Sequence, residues 1–221
     1  MKIVSPYLSM DLGFQYIPKG SNVKLLIRHS FRPTLKGIKN PDGVRLTKQG
    51  LFEATKFGQS LPMDIGYCCS SPIIRCRETI QAISRLPENA IETSDVLGYS
   101  FIENNEIATT MFSNYSLKEI VHLMSHQSKI DGFISGQVGV RNIIDLLFSN
   151  GGESDKLDIF CTHDMHLALI DSLLFSSYNS IEDIRNNWPN MLEGMWFWGN
   201  RMNFYISWRG QIKRLINFFA F

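Results

Sequence analysis

A chain of 221 residues, 44% hydrophobic and 19% charged, is long enough to bury the core of one domain. Its formal net charge of +1 excludes the strong basic excess expected of a general nucleic-acid or polyanion binder. No apolar stretch is long enough to span a bilayer, and the N-terminus lacks the apolar run of a secretory signal. We therefore expect a single cytoplasmic domain, without a nucleic-acid or membrane partner.

The cysteines and histidines, the residue types that most often bind metals, do not show the spacing of metal ligands. Cys68, Cys69, Cys76 and Cys161 are expected to be reduced thiols in the core. The five histidines form no ligand pattern either, and His122 with His126 lacks further ligands nearby. We expect neither a metal nor a cofactor.

The first predicted strand ends in a group of cations. Residues 1–21 have no clear period and are expected to form an irregular arm, whereas 23–28 is an apolar run typical of a buried strand. It ends at Arg28-His29, with Arg32 shortly after. The carboxyl edge of an α/β sheet is where such folds bind ligands. Arginine matches phosphate oxygens in pairs, and a histidine among arginines is suited to act as a nucleophile.

A helix is predicted over 46–61 by its apolar spacing, with Thr47 as its N-cap. Gly50 and Gly58 weaken its helix propensity, and close packing against the sheet is the expected reason to keep them. A second strand follows over 65–69.

The second strand leads into a further helix start. Ser71 as N-cap and Pro72 as the first helical residue favour a helix that places Arg75 and Thr79 on one face. Arg75 then lies close to the positive end of this helix.

The middle of the chain is less regular. We expect 87–115 to be irregular except for a short strand near 92–96, and helices over 116–124 and 138–148. Residues 98–155 are predicted to form a small cap insertion, which contains Glu103 and Glu106.

The last third of the chain is predicted to hold most of the remaining sheet. The strand over 157–162 ends at His163-Asp164 and precedes a helix over 167–174. Strands are predicted over 193–198, 202–208 and 211–219. His166 is interpreted as a helix-face residue with a structural role.

Taken singly, the polar groups at these strand ends have structural explanations, as surface cations, core histidines or a helix cap. Together they follow a common rule, since each comes just after an apolar strand. Their order resembles the histidine phosphatase superfamily, which includes the phosphoglycerate mutases and the acid phosphatases. The resemblance rests on Arg28-His29-x-x-Arg32, Leu46-Thr47-x-x-Gly50-x-x-x-Ala54-x-x-x-Gly58-x-x-Leu61, Ser70-Ser71-Pro72-x-x-Arg75-x-x-x-Thr79 and Thr162-His163-Asp164.

The resemblance implies a three-layer α/β/α sandwich with a mixed, mainly parallel central sheet. His29 would be the nucleophile that forms a phosphohistidine, and Asp164 would protonate the leaving oxygen. Arg28, Arg32, Arg75 and His163 would bind the phosphoryl oxygens, with no metal required. His163-Asp164, together with Trp188-Pro189, looks more like the acid phosphatase branch.

Three alternatives stay open at this point. In the mutase branch a mid-chain glutamate is the proton donor, and Glu103 or Glu106 could fill that role. The chain could equally be a phosphotransferase of that branch, or a non-catalytic phosphate-binding module. The substrate, a small molecule or a phosphorylated protein, and the oligomeric state are not determined by the sequence.

Overall fold

The computed structural model describes residues 8–127, 129–175 and 180–219, and all structural statements below concern these residues. They form seven strands and eight α-helices, together with short 3₁₀ turns and a π-helical turn at Asp171–Phe175. The strands are β1 (Val23–Arg28), β2 (Asp64–Ser70), β3 (Glu92–Thr93), β4 (Lys156–Thr162), β5 (Gly194–Asn200), β6 (Asn203–Trp208) and β7 (Gln211–Ile216). The helices are α1 (Leu8–Phe14), α2 (Lys48–Ser60), α3 (Ile74–Ser84), α4 (Asn105–Asn114), α5 (Leu117–His126), α6 (Gly136–Ser149), α7 (Asp164–Ile170) and α8 (Ile181–Asn186).

The strands form one mixed sheet in the order β3-β2-β4-β1-β5-β6-β7. The pairs β3–β2, β2–β4 and β4–β1 are parallel, and β5, β6 and β7 continue the sheet in antiparallel pairs. β1 and β4 lie at the centre, and both are almost entirely buried. Their apolar runs fit strands that are covered on both faces.

Helices cover both faces of the sheet, which confirms the predicted three-layer α/β/α architecture. Alternate side chains of β1 belong to different cores because successive residues of a strand point to opposite faces. Leu25 and Ile27 face a core that includes residues of α1, α2 and α3. Leu26 faces the second core, which includes residues of α4 to α7. None of the described helices is long and apolar enough to cross a membrane.

The prediction of an irregular N-terminal arm is wrong for α1, while residues 1–7 lie outside the described part. This helix is only seven residues long, and its position depends on tertiary contacts. The Trp196 indole N–H donates to the Met10 carbonyl at 3.0 Å, and Phe14 packs edge-on against the same indole. Both contacts join residues far apart in the sequence, so a local pattern carries little sign of them.

The prediction that 87–115 is irregular is also wrong, because it contains α4. The side chain of Asn104 caps this helix by accepting hydrogen bonds from the amides of Glu106 and Ile107. Only Ala108 of α4 is fully buried, which explains why no clear apolar stripe marks the helix in the sequence. The other predicted strands and helices are present, with small shifts at their ends, and α8 was not predicted.

The glycines of α2 do permit close packing, but the expectation that they face the sheet is wrong. A methyl group at Gly50 would lie 2.1 Å from the Phe31 carbonyl oxygen, in the loop after β1. One at Gly58 would lie 2.1 Å from the Ile83 carbonyl oxygen, at the end of α3. The two positions therefore set the distance of α2 from a loop and from a neighbouring helix.

Gly58→Ala is expected to lower the free energy of unfolding by about 1–3 kcal/mol, because two backbones must separate to admit the new methyl group. Gln59→Ala, at the adjacent exposed position, is the matched control and is expected to change stability little. Urea unfolding of the two variants measures the difference. Equal stability of both variants would contradict the close approach of α2 and α3.

Candidate active site

The carboxyl ends of β1 and β4 bring two histidines together. The two strands pair in parallel with Arg28 opposite Thr162, and the His29 amide continues the ladder by donating to the Thr162 carbonyl at 3.0 Å. The next residue of each chain segment therefore lies at the same edge. The ring centroids of His29 and His163 are 5.6 Å apart.

His29 presents a free nitrogen lone pair. Its Nδ1 lies 2.8 Å from the Ser30 carbonyl oxygen, which can only accept, so Nδ1 carries the proton and Nε2 is unprotonated. Burial, the nearby His163 and the charges of Arg28 and Arg75 hold the pKa of His29 well below its ordinary value, against the opposing effect of the Ser30 contact. A neutral imidazole with a bare Nε2 is the form that attacks as a nucleophile.

Ser30 fixes the backbone that follows His29. Its amide donates to Thr79 Oγ1 at 2.9 Å, and its hydroxyl donates to the Gly50 carbonyl at 2.7 Å. Thr79 Oγ1 in turn donates to the Arg75 carbonyl one turn earlier in α3. The His29 loop is thus tied to both α2 and α3, and the Ser30 hydroxyl is engaged with α2.

The predicted helix start at Ser71 and Pro72 is wrong by two residues. Helix α3 begins at Ile74, Ile73 is its N-cap, and no side chain caps it. The Ser71 hydroxyl lies 3.0 Å from His163 Nε2 instead. The sequence interpretation missed this contact, since a serine before a proline looks like a helix cap in the sequence.

Both ring nitrogens of His163 lie near polar side chains. Nδ1 lies 3.4 Å from the Arg75 guanidinium, and Nε2 lies 3.0 Å from the Ser71 hydroxyl. These contacts place His163 between α3 and the residue that follows β2. Arg75, in the first turn of α3, also donates to the Pro41 carbonyl at 2.8 Å, which holds the loop after β1 over the site.

Asp164 is held by an arginine and an indole. Its Oδ2 lies 2.6 Å from Arg28 Nη2 and accepts from Trp188 Nε1 at 3.2 Å, while Oδ1 accepts from the Met165 amide. Burial alone would raise the pKa of this carboxyl, but Arg28, Trp188 and His163 outweigh it and lower the pKa below its ordinary value. Asp164 is therefore ionised in the resting site at neutral pH.

The three predicted phosphate-binding arginines have unused donors. Burial and the charges of Arg75 and Arg28 lower the pKa of Arg32. The three guanidinium groups therefore lie close enough to repel one another. Within the described residues, the buried Nε of each of Arg28, Arg32 and Arg75 lacks a hydrogen-bond partner. Buried donors without acceptors are costly, so this cluster of arginines, of which Arg28 and Arg75 act on His29, is suited to bind an anion.

The mid-chain glutamates are exposed instead. Glu103 forms an ion pair with Lys129 at 2.8 Å, and Glu106 lies in the first turn of α4. No hydrogen bond or ion pair described here joins either carboxylate to the histidines or arginines of the site. Asp164 is the carboxylate that the structure brings beside them.

A second layer of polar side chains lies behind His163. His166 is 3% exposed, its ring centroid is 5.9 Å from that of His163, and its Nε2 lies 3.3 Å from the Ser100 hydroxyl. Burial and the neighbouring His163 lower the pKa of His166 to about 3, so it is neutral. The thiol of Cys76 lies 3.6 Å from His163 Nε2. The sequence interpretation had not placed Cys76 near the site.

A cavity of about 670 Å³ opens beside Arg28. Phe31, Trp188 and Pro189 belong to its wall, and the Arg28 guanidinium donates to the Pro189 carbonyl. The cavity thus shares Arg28 with the cluster of arginines and histidines. Among the described residues, no group of three or more His, Cys, Asp or Glu side chains is arranged to hold a metal ion.

Known proteins match this chain in structure and not in sequence. No family model matches the sequence, and no curated protein matches it either. Solved structures that match include mycobacterial hydrolase 1, with a TM-score of 0.56 and 12% identity over 89% of this chain and 98% of the other.

Two further matches are phosphatases by name. Mycobacterial glucosyl-3-phosphoglycerate phosphatase has a TM-score of 0.54 and 12% identity over 89% of this chain and 99% of the other. A phosphoserine phosphatase mutant from Entamoeba histolytica, bound to phosphoserine, has a TM-score of 0.51 and 14% identity over 89% and 96%. The chain therefore has the fold of the histidine phosphatase superfamily, which its sequence motifs resemble.

Proposed function

We propose that this protein is a phosphomonoester hydrolase that acts through a phosphohistidine on His29. The observation that carries the proposal is the unpaired buried Nε of Arg28, Arg32 and Arg75, a cluster of arginines beside a histidine with a bare Nε2. Guanidinium donors of this kind match the oxygens of a phosphoryl group. The phosphatases that share the fold support the same reaction class.

In the first step, the arginines and His163 bind the phosphoryl oxygens, and His29 Nε2 attacks phosphorus. The new N–P bond forms as the bond from phosphorus to the leaving oxygen breaks, and protonated Asp164 gives that oxygen its proton. The cations neutralise the charge that spreads over the phosphoryl oxygens in the transition state. His29 Nδ1–H stays on the Ser30 carbonyl, which orients the ring throughout.

In the second step, water attacks the phosphohistidine and the N–P bond breaks. The Asp164 carboxylate accepts the proton of the attacking water, and the electron pair of the broken bond returns to His29 Nε2. Phosphate leaves. His29 Nε2 is then unprotonated and Asp164 is protonated, as both were at the start of the first step.

Asp164 must be protonated before the first step, although the resting carboxyl is ionised. A bound phosphate dianion offsets the charge of Arg28, which is the main favourable partner of the Asp164 carboxylate. Substrate binding therefore raises the pKa of Asp164 towards a range in which it holds a proton.

The substrate proposed is a small phosphomonoester whose organic part lies in the cavity beside Arg28. The matching solved structures include a glucosyl-3-phosphoglycerate phosphatase and a phosphoserine phosphatase bound to phosphoserine, and both names indicate small phosphorylated compounds. The single domain, its cap around 98–155, the cytoplasmic location and the independence of metal stay predictions from the sequence.

His29→Ala is expected to abolish hydrolysis of 4-nitrophenyl phosphate, by at least about 10³-fold in kcat, because it removes the nucleophile. His126→Ala, at an exposed position of α5, is the control and is expected to retain full activity. Wild-type samples mixed with ³²P-labelled substrate and quenched in alkaline detergent are expected to carry an acid-labile, base-stable label on His29. Turnover is expected to persist in EDTA.

Two outcomes would contradict the proposal: wild-type turnover without a label on His29, or activity that is retained in His29→Ala. A label that is passed to an acceptor alcohol faster than to water would instead support a phosphotransferase. Tight vanadate binding without turnover would identify a non-catalytic phosphate-binding module.

The rate is expected to be highest at acidic pH and to fall as the pH rises. The falling limb reflects loss of the proton from Asp164, which faces Arg28, Arg32, His163 and His166. Protonation of His29 causes the opposite limb, at a pH well below 6.5 in the free enzyme because its pKa is lowered.

Asp164→Asn is expected to lower kcat for phenyl phosphate by about 10²–10⁴-fold and to remove the falling limb, since the amide has no proton to give. 4-Nitrophenyl phosphate, whose leaving group needs little protonation, is expected to lose less. The measurement is kcat against pH for both substrates. A rate that climbs steadily into the alkaline range would show that Asp164 is not the acid.

A further inference from the structure

Trp188 lies in the loop between α8 and β5, at the edge of the sheet that carries the site. Its indole N–H donates to Asp164 Oδ2 at 3.2 Å, the same oxygen that lies 2.6 Å from Arg28 Nη2. The other oxygen accepts from the Met165 amide at 2.9 Å. Donors from β1, α7 and this loop therefore determine the orientation of the carboxylate.

The loop that carries the indole, and the indole ring itself, are held by contacts from several directions. The Arg209 guanidinium forms a two-pronged ion pair with Glu193, both contacts at 2.8 Å, and also donates to the Trp188 carbonyl. Arg28 donates to the carbonyl of the next residue, Pro189. The Lys118 ammonium of α5 lies 5.6 Å from the centre of the indole ring. These contacts limit the positions that the indole N–H can take.

Trp188 also belongs to the wall of the cavity beside Arg28, where the proposed function places the organic part of the substrate. Its N–H points to the carboxylate proposed as the acid. A residue with this position can align the acid with the leaving oxygen while leaving the phosphoryl group untouched.

We propose that Trp188 is a positioning residue, whose indole N–H holds Asp164 in the orientation from which it protonates the leaving oxygen. The inference rests on the proposed phosphatase function and adds a determinant of its acid step. Trp188 takes no part in binding the phosphoryl oxygens.

Removal of the indole N–H has two effects of known sign. The carboxylate becomes less well aligned, so transfer of the proton to a basic leaving group slows. The ionised form of Asp164 also loses one donor, so the pKa of Asp164 rises and the falling limb of the pH profile moves to higher pH. One hydrogen bond to a charged group corresponds to a shift of about 1–2 pH units. Loss of stability alone would not move this limb.

The test compares Trp188→Phe with Trp198→Phe. Trp198 is paired with Val23 at the opposite end of β1 and stacks on Tyr205, so its replacement removes another indole, one that lies away from the site. Single-turnover release of the leaving group is measured for phenyl phosphate and for 4-nitrophenyl phosphate over a range of pH. Circular dichroism and a thermal melt establish that both variants are folded.

Trp188→Phe is expected to slow phenol release about tenfold, a part of the 10²–10⁴ that general acid catalysis supplies, and 4-nitrophenol release less than about twofold. Its falling limb is expected to move upward, while Trp198→Phe keeps the wild-type ratio and limb. Equal losses for both substrates, or an unmoved limb in active Trp188→Phe, would overturn the role of Trp188. A wild type without turnover would overturn the proposed function instead.

A second measurement does not depend on turnover or on the folding of Trp188→Phe. In ¹⁵N-labelled wild type, the Trp188 indole N–H resonance is expected to shift with pH as Asp164 takes up a proton, and to lose this shift in Asp164→Asn. An indole resonance that is unaltered by Asp164→Asn would show that the hydrogen bond is not formed and would overturn the proposal.

Discussion

The parallel pairing of β1 with β4 is the constraint on which the site depends. Arg28 lies opposite Thr162, and the backbone bond from the His29 amide to the Thr162 carbonyl extends the ladder by one step. A shift of this register by one residue would turn His29 to the other face of the sheet. The 5.6 Å separation of the His29 and His163 rings is therefore a property of the sheet, to which the loops only add further groups.

The second constraint is the excess of positive charge at this edge. Arg28, Arg32 and Arg75 lie near two histidines, and Asp164 is the one carboxylate that the described contacts bring into the cluster. The protein keeps the cluster neutral where it can, since His29 has a strongly lowered pKa and His166 is neutral as well. The buried Nε of each of these arginines stays unpaired, and under the proposed function a phosphoryl group would satisfy these donors. Asp164, the proposed acid, is ionised in this resting site.

Most of the fold could be predicted because its central elements have strong local signals. β1 and β4 are each a short apolar run, and α2 has a regular apolar stripe with a capping threonine. The errors have physical causes. Helix α1 is held by the distant Trp196, and α4 buries a single alanine, so neither has the pattern of an independent amphipathic helix. Ser71 was interpreted as a helix cap because a local rule cannot foresee a partner 92 residues away.

The sequence by itself determined the strands, the residue types at their ends and the order of the motifs, since these depend on hydrophobic period and local chemistry. Through the family resemblance that these motifs carry, this was enough to predict an α/β/α sandwich and to single out His29, His163, Asp164 and the arginines. Only the tertiary structure decided how those side chains are used. It showed that Nδ1 of His29 bears the proton, that Asp164 is paired with Arg28 and Trp188, and that Glu103 is an exposed partner of Lys129. Each of these depends on contacts between distant segments, and the pairing of strands and the packing of loops create such contacts.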